Sequence, residues 1–146
     1  MKKLQKSTQD PDGNTVDVDL IMYNFNNIAI NITPTGDAYL CLSSSSAMAK
    51  KYGTKYKVKS NIINAGVSEY GQDGAKIFWF IDENGNVFYY DMGYISEDES
   101  SYTVNLNLKS LPKLKNITQI ISKAYPDGAC SAGIDIDGNI IEIDEF

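Results

Sequence analysis

A strand–turn–strand pattern that recurs three times most restricts how this 146-residue chain can fold. Each copy has an apolar run, a tight turn with glycine near its end, and a second run of β-forming residues; the turn glycines are Gly36, Gly85 and Gly138. Glycine supplies the positive φ that such hairpin turns require, and flanking Asp or Asn tolerates the neighbouring strained positions. The glycines are 49 and 53 residues apart, which matches a repeat of four short strands.

The repeat predicts an all-β fold of about three four-stranded antiparallel, propeller-like units with a short helical insertion. We expect one domain over residues 1–146, with approximate repeats at 14–50, 51–98 and 99–146. Three blades cannot close a ring alone, and unpaired strand edges are unfavourable. Either the chain caps its own open edges, or two copies pair into a closed six-bladed ring.

Local patterns refine this prediction at three places. The alternation over 102–108 predicts a half-buried strand. A short helix is expected over 46–52, with Ser46 as its cap and Gly53 closing it. Residues 112–124 fit both a helical period and a strand, and the repeat favours the strand.

The last two repeats share a motif: an Asn-Ile strand start (Asn61, Asn116), then a later apolar strand and a turn ending in Gly-Asn (Asn86, Asn139). This motif resembles the blades of the regulator-of-chromosome-condensation family over residues 55–146, and more loosely over 14–42. The resemblance implies β-propeller blades. The chain departs from that family in lacking the repeat's histidine, its Gly-Gly pair and its closing Trp-Gly, and three repeats are too few for the family's ring. Nucleotide exchange is therefore not carried over.

Charge and cysteine content limit the classes of partner and compartment. The formal net charge is −6 and the pI about 4.5, which disfavours nucleic acid and anionic membranes and suits either simple solubility or a basic partner. No run reaches the roughly 18 apolar residues of a membrane span, so we expect a cytoplasmic protein. A chain whose signal peptide had been removed would give the same pattern. Cys41 and Cys130 predict two reduced, buried thiols, with one long-range disulfide as the alternative.

The groups that usually carry catalysis are scarce, which predicts a protein that is not an enzyme and uses no cofactor or metal. There is no histidine to serve as base or zinc ligand. Ser46 and Lys50 could form a dyad on one helical face, but a helix cap is the simpler role for the serine. Asp135, Asp137 and Asn139 alternate like calcium ligands, yet the loop lacks the EF-hand spacing, and hairpin chemistry explains them. Acidic residues are plentiful, but none is singled out as a hydrolytic pair.

Two groups of residues are the candidate binding residues. Lys55, Lys57 and Lys59 share one face of a predicted strand, close to Tyr52; they predict either a contact for an anionic partner or a lysine-guarded edge strand. The aromatic residues of the central hairpin predict either a recognition surface or burial on both faces of the sheet. Its candidate binding residues are Trp79, Tyr89 and Tyr90.

These observations predict a non-catalytic binding module. The favoured function is a cytoplasmic protein–protein interaction or inhibitor protein, of the kind encoded by phages or immunity systems, acting on a basic partner through an acidic and aromatic β surface. The alternative is a carbohydrate- or small-ligand-binding propeller assembled from two or more chains, a homodimer being the simplest case. In that alternative Trp79 and exposed tyrosines stack on sugar rings.

Overall fold

The structure is a computed structural model that describes residues 6–9, 11–18, 20–25, 28–70, 75–94, 102–125, 128–144 and 146. These residues form thirteen strands and one helix. In chain order the elements are β1 Lys6–Gln9, β2 Thr15–Val18, β3 Leu20–Phe25, β4 Ile28–Ile32, β5 Ala38–Leu42, α1 Ala47–Tyr52, β6 Lys55–Lys59, β7 Ile62–Tyr70, β8 Ala75–Asp82, β9 Val87–Gly93, β10 Lys109–Ser110, β11 Ile117–Tyr125, β12 Gly128–Asp135 and β13 Ile140–Ile143.

Three antiparallel sheets follow one another along the chain, so the all-β prediction is confirmed. Sheet 1 has the order β3-β4-β5-β6, sheet 2 the order β7-β8-β9-β10 and sheet 3 the order β11-β12-β13, while β1 and β2 form a separate hairpin. Every strand pairs with its neighbour in sequence, as expected for strands joined by tight turns. Sheet 3 has three strands, rather than the predicted four, in the part of the chain that the structure describes.

The hairpin turns of sheets 2 and 3 use the same side-chain chemistry. Asp82 Oδ1 accepts hydrogen bonds from the backbone N–H groups of Asn84 and Asn86, at 2.9 Å each, and Asp135 Oδ1 accepts the equivalent bonds from Asp137 and Asn139. These bonds satisfy backbone donors that a tight turn would otherwise leave to solvent. The carboxylates therefore act as turn residues. No cluster of three or more metal-ligating side chains is found among the described residues.

Two apolar cores lie between successive sheets. Core 1 joins sheet 1 to sheet 2 and consists of Ile28, Ile30, Ile32, Ala38, Leu40, Leu42, Met48, Ala49, Ile62, Ala65, Phe78, Phe80, Tyr90 and Met92. Core 2 joins sheet 2 to sheet 3 and consists of Ile63, Ile77, Trp79, Ile81, Val87, Tyr89, Leu114, Ile117 and Ile120. Sheet 2 is therefore apolar on both faces, because alternate side chains of β8 enter opposite cores.

The predicted helix is confirmed as α1, which lies between β5 and β6. Ser46 is its N-cap, with Oγ accepting from the Ala49 N–H at 3.1 Å, and Gly53 closes it at φ 83°. Because the Ser46 hydroxyl also donates to the Ser43 carbonyl, it is committed to the cap. Since α1 precedes β6, sheet 1 ends at residue 59, beyond the repeat boundary predicted at residue 50.

Residues 102–108, which we call the crossing segment, differ from the prediction in their pairing. Their side chains alternate between half-buried and exposed, as expected of a strand, but the segment joins no described strand ladder. Tyr102, Val104, Leu106 and Leu108 pack against core 1 instead. By contrast, the strand predicted within 112–124 is confirmed from Ile117 onward as part of β11.

The helix is short, and no helix in the described ranges is long and apolar enough to cross a membrane.

Candidate interaction surfaces

One hydrogen bond is repeated at both junctions between sheets. The carbonyl of the turn glycine in one sheet accepts from the first residue of the next sheet: Ile62 N donates to Gly36 at 2.9 Å, and Ile117 N donates to Gly85 at 3.0 Å. A second repeated bond joins the residue before each sheet to that sheet's own turn. Its acceptors are Asn61 and Asn116, both at positive φ (61° and 56°). The two junctions thus share one geometry, which was not foreseen from the sequence, although the paired Asn-Ile motifs mark its position.

The first strands of the three sheets lie side by side. β7 contacts β3 and β4 of sheet 1 and β11 and β12 of sheet 3. Near the start of β7, the Asn64 amide donates to the Thr118 carbonyl in β11 at 3.2 Å. Both residues adjoin irregularities in strand pairing, between Ile62 and Asn64 and between Ile117 and Gln119. Bulges bend a strand and redirect its groups, here toward the neighbouring sheet.

The three aromatic residues predicted to bind a ligand lie inside the molecule. Trp79, Tyr89 and Tyr90 are 5%, 7% and 3% exposed. The Trp79 ring lies over Gly66, where an added Cβ would come within 2.5 Å of it. Burial raises the pKa of the Tyr90 hydroxyl, with smaller contributions from Tyr56 and Tyr52. The aromatic residues therefore show burial on both faces of the sheet, and they do not form the exposed recognition surface that the sequence also allowed.

Tyr52 has a structural role, because it holds the crossing segment. Its hydroxyl accepts from Leu106 N at 3.0 Å and donates to the Val104 carbonyl at 3.3 Å. Met48 Sδ accepts from Val104 N, also at 3.3 Å. The crossing segment thus obtains from α1 side chains the hydrogen bonds that a strand partner would have supplied.

The predicted lysines lie on the edge strand β6, and each has a partner. Lys55 Nζ lies 4.4 Å from the centre of the Tyr39 ring, and Lys57 Nζ lies 3.5 Å from Asp37 Oδ1. Lys59 Nζ lies 4.6 Å from the centre of the Phe88 ring in sheet 2. In the part of the chain that the structure describes, β6 pairs with β5 alone, so its lysines lie along a free sheet edge.

We define the outer face of sheet 1 as the face turned away from sheet 2. Along β4 and β5, fully buried residues alternate with half-buried ones, and the buried set belongs to core 1. The half-buried set points the opposite way because side chains alternate across a strand. Lys55 and Lys57 pair with Cys41 and Tyr39 in the ladder and extend the same face. The outer face of sheet 1 is therefore polar, aromatic and basic.

We define the open face of sheet 3 as the face turned away from sheet 2. Its exposed apolar residues are Ile140 (71%) and Ile121 (40%), joined by the half-buried Ile134. Ile140 stands two residues after its turn glycine, as do Ala38 and Val87, which are 0% and 1% exposed inside the cores. The position that faces the following sheet in sheets 1 and 2 thus faces solvent in sheet 3.

The turn glycines show the same difference. Gly85 is buried, and a Cβ added there would lie 2.5 Å from the Asn116 Cα. Gly138 is exposed, and an added Cβ would meet no heavy atom within 4 Å. No described residue donates a backbone hydrogen bond to the Gly138 carbonyl, whereas Gly36 and Gly85 each receive one. Sheet 3 therefore has the junction surface of the other sheets, and no further sheet covers it among the described residues.

A cavity of about 230 Å³ lies in the groove between sheets 2 and 3. Among its lining residues are Tyr89, Lys113, Leu114, Glu142 and Asp144. A turn at residues 112–113 lies between β10 and Asn116. At the junction of sheets 1 and 2, β6 leads almost directly to Asn61 without such a turn. Pro112 is the sequence signal for this turn, within the range 112–124 that fits both a helix and a strand.

The cysteines are free thiols but are not buried as predicted. Cys41 is half-buried and Cys130 is exposed. Cys41 alternates with core residues along β5, and Cys130 belongs to the exposed part of β12, so neither enters a core.

Searches against protein-family models, curated proteins and solved structures give no match.

Proposed function

We propose that the chain is a non-catalytic protein-interaction module whose contact surface is the open face of sheet 3. The observation that carries this proposal is the 71% exposure of Ile140 at a position that is buried in both preceding sheets. Exposed apolar patches on folded proteins commonly mark interaction sites. A partner that supplies a sheet face would bury the isoleucines and pair with the groups at their rim.

The charge of the contact region favours a partner with a basic surface. Glu142 lies on β13 beside Ile140, and Asp144 follows it; both are exposed. The chain as a whole has a net charge of −6. Complementary charge raises the rate of association and selects among partners more than it adds affinity. An inhibitor of a basic target, acting in the cytoplasm, remains our preferred biological role; two free thiols suit a reducing compartment.

A propeller-type arrangement is part of the proposal. Its support is the repeated junction, with adjacent first strands and the same glycine-carbonyl bond at both junctions. Blades of regulator-of-chromosome-condensation type remain the family comparison that suits the repeat, as an architecture without that family's activity. In a propeller, a blade with an uncovered face requires a further blade or a partner.

Affinity capture with single-residue variants tests the proposal. Tagged wild-type protein, Ile140→Asp and Tyr94→Asp would be expressed in the source cells and their captured proteins identified by mass spectrometry. Tyr94 is the matched control because it is apolar and 65% exposed but lies at the end of β9. We expect a defined protein, which can be untagged copies of the chain, to be lost only with Ile140→Asp. The same proteins with all three baits, or none with the wild type, would contradict the proposal.

A second candidate function is small-ligand or carbohydrate binding in the groove between sheets 2 and 3. The observation that favours it is the 230 Å³ cavity, whose lining residues include Tyr89, Lys113 and Glu142. Stacking on Trp79 is not part of this candidate, because that ring is buried. A glycan-array signal that Glu142→Gln abolishes would support it, and a silent array would count against its carbohydrate form.

A further inference from the structure

We propose that the partner of the open face of sheet 3 is the outer face of sheet 1 on a second copy of the chain. This inference rests on the proposed function and names its partner. Two such contacts, related by a two-fold axis, would join six sheets into one closed ring.

The first argument is the continuity of the junction along the chain. Sheet 1 meets sheet 2, and sheet 2 meets sheet 3, through the same turn-glycine bond and through equivalent faces. The faces that take part in neither junction are the open face of sheet 3 and the outer face of sheet 1. An interface that is repeated twice inside the chain can thus be formed a third time between chains.

The second argument is the exposure of residues that stand at the same distance from the turn glycine in each sheet. Cys41 stands five residues after its turn glycine, as do Tyr90 and Ile143, and both of these lie against the preceding sheet. Cys41, at the same position of sheet 1, lies on the outer face and is only half-buried. The open face, conversely, has Ile140 exposed and the Gly138 carbonyl without a backbone donor in the described residues. Each face lacks what the other supplies.

The third argument is charge. The outer face of sheet 1 carries Lys55 and Lys57, and the Lys57 side chain is 51% exposed. The open face carries Glu142, with Asp144 next to it. Bringing the faces together would set two lysines against two carboxylates around an apolar centre, the usual arrangement of a protein interface. Two copies of the same face would instead oppose like charges.

The requirement that the ring of sheets closes sets the number of chains in the assembly at two. A contact between unlike faces either closes into a ring or continues as a filament, and closed propellers contain four to eight blades. Three sheets per chain make two chains the natural number, since the ring then has six. Closure also removes both uncovered faces, which a filament leaves at its ends.

The mass of the untagged protein in solution tests the proposal. By light scattering after size exclusion we expect twice the 16.2 kDa of one chain. Ile140→Asp on the open face and Lys57→Glu on the outer face should each give a folded monomer, with folding checked by circular dichroism. The control variants Tyr94→Asp and Lys50→Glu alter an exposed aromatic and an exposed lysine away from both faces and should stay dimeric.

Mixing the two monomeric variants distinguishes this interface from a symmetric one. Lys57→Glu keeps a wild-type open face, and Ile140→Asp keeps a wild-type outer face, so the mixture should regain dimers through one intact junction. An interface of the open face with itself would leave Lys57→Glu dimeric on its own, and one of the outer face with itself would leave Ile140→Asp dimeric. Either result, or two monomers that do not associate on mixing, would overturn the proposal. A wild-type monomer at the highest attainable concentration would overturn it too. In that case the protein-interaction proposal still stands or falls on the capture experiment, since that readout does not require a second copy.

Discussion

At the scale of single residues, two glycines with almost the same backbone angle have different surroundings. Gly85 has φ 80° and Gly138 has φ 84°, conformations that L-residues adopt only with strain. Only Gly85 has a neighbour so close that a side chain cannot fit, namely the Asn116 backbone of the next sheet. Comparing these positions separates backbone strain from the contact between sheets.

We therefore expect Gly85→Ala to be much more destabilising than Gly138→Ala. The exposed turn should lose about 1–2 kcal/mol from strain alone, and the buried turn more than about 3 kcal/mol, because the sheets must also separate. Urea unfolding of the two single variants and of the wild type, at a protein concentration at which light scattering finds all three in the same oligomeric state, measures both losses. Equal losses would contradict the close approach of Gly85 to Asn116.

The turn carboxylate Asp135 gives stability a specific pH dependence. Hydrogen bonds from Asn139, and then from Asp137 and Gly138, hold its pKa below the ordinary value of 3.8. A lowered folded-state pKa stabilises the protein above the unfolded-state value, and this contribution is lost as pH falls through the folded-state value. Asp135→Asn should consequently show a smaller fall in unfolding free energy between pH 7 and pH 3 than the wild type.

Urea midpoints at pH 7, 5 and 3 measure that difference. Asp137→Asn is the control, since it removes a carboxylate from the same turn and leaves the Asp135 hydrogen bonds in place. If Asp135→Asn and the wild type lose the same stability on acidification, the turn carboxylate does not contribute as described.

At the scale of elements, α1 and the crossing segment depend on each other. The helix has only six residues, too short to be stable alone, and the segment has no strand partner among the described residues. Their contacts are Tyr52 to Leu106 and Val104, Met48 to Val104, and Lys51 to Asn105 at 2.5 Å. The side chains of α1 thus hold the crossing segment against core 1 through hydrogen bonds.

Tyr52→Phe should weaken this attachment by about 1–2 kcal/mol, because the hydroxyl makes two hydrogen bonds to half-buried backbone. Hydrogen exchange at the Leu106 amide, which loses its acceptor, should accelerate relative to strand amides of sheet 2. Tyr94→Phe serves as the control because Tyr94 is exposed. Unchanged exchange at Leu106 would show that apolar contacts alone hold the segment.

The elements also show what local sequence can and cannot predict. The turns and the cap of α1 follow from chemistry within a few residues, Asp82 with Asn86 and Ser46 with Ala49, and both were predictable. The role of Trp79 was not, because sheet 2 is apolar on both sides and no polar face marks its orientation. Alternation in the crossing segment indicated a half-buried extended chain, but a helix as its partner leaves the same pattern as a strand does.

At the scale of the whole molecule, Trp79 reports on the junction between sheets 2 and 3. It is the only tryptophan, it is 5% exposed, and its indole Nε1 has no hydrogen-bond partner among the described residues. We expect blue-shifted emission and weak acrylamide quenching in the native protein, since the ring lies in an apolar core. Strong native-state quenching, or quenching changed by sugars, would place the ring at a surface and revive stacking on Trp79.

The candidate site at the scale of the whole molecule consists of two sheet faces, the outer face of sheet 1 and the open face of sheet 3. The sequence predicted these faces only in part. The prediction that the lysines of β6 share one strand face holds for Lys55 and Lys57 only. An irregularity in the pairing of β5 with β6 places Lys59 opposite the core residue Ala38, on the side of sheet 2. Two features depend on which sheets lie next to each other: the outer face of sheet 1 packs on neither neighbouring sheet, and Ile140 is exposed on sheet 3. Such contacts join residues far apart in sequence, so periodicity could not predict them.

The position of the crossing segment in the chain also determines when core 1 can be completed during synthesis. Residues 102–108 follow β9 in the chain, yet their apolar side chains complete core 1, whose other walls come from sheets 1 and 2. On the ribosome, sheet 1 is made before sheet 2, which supplies most of its apolar cover, and the crossing segment completes core 1 last. A truncation between sheets 1 and 2 would therefore yield a fragment whose apolar face never acquires its cover.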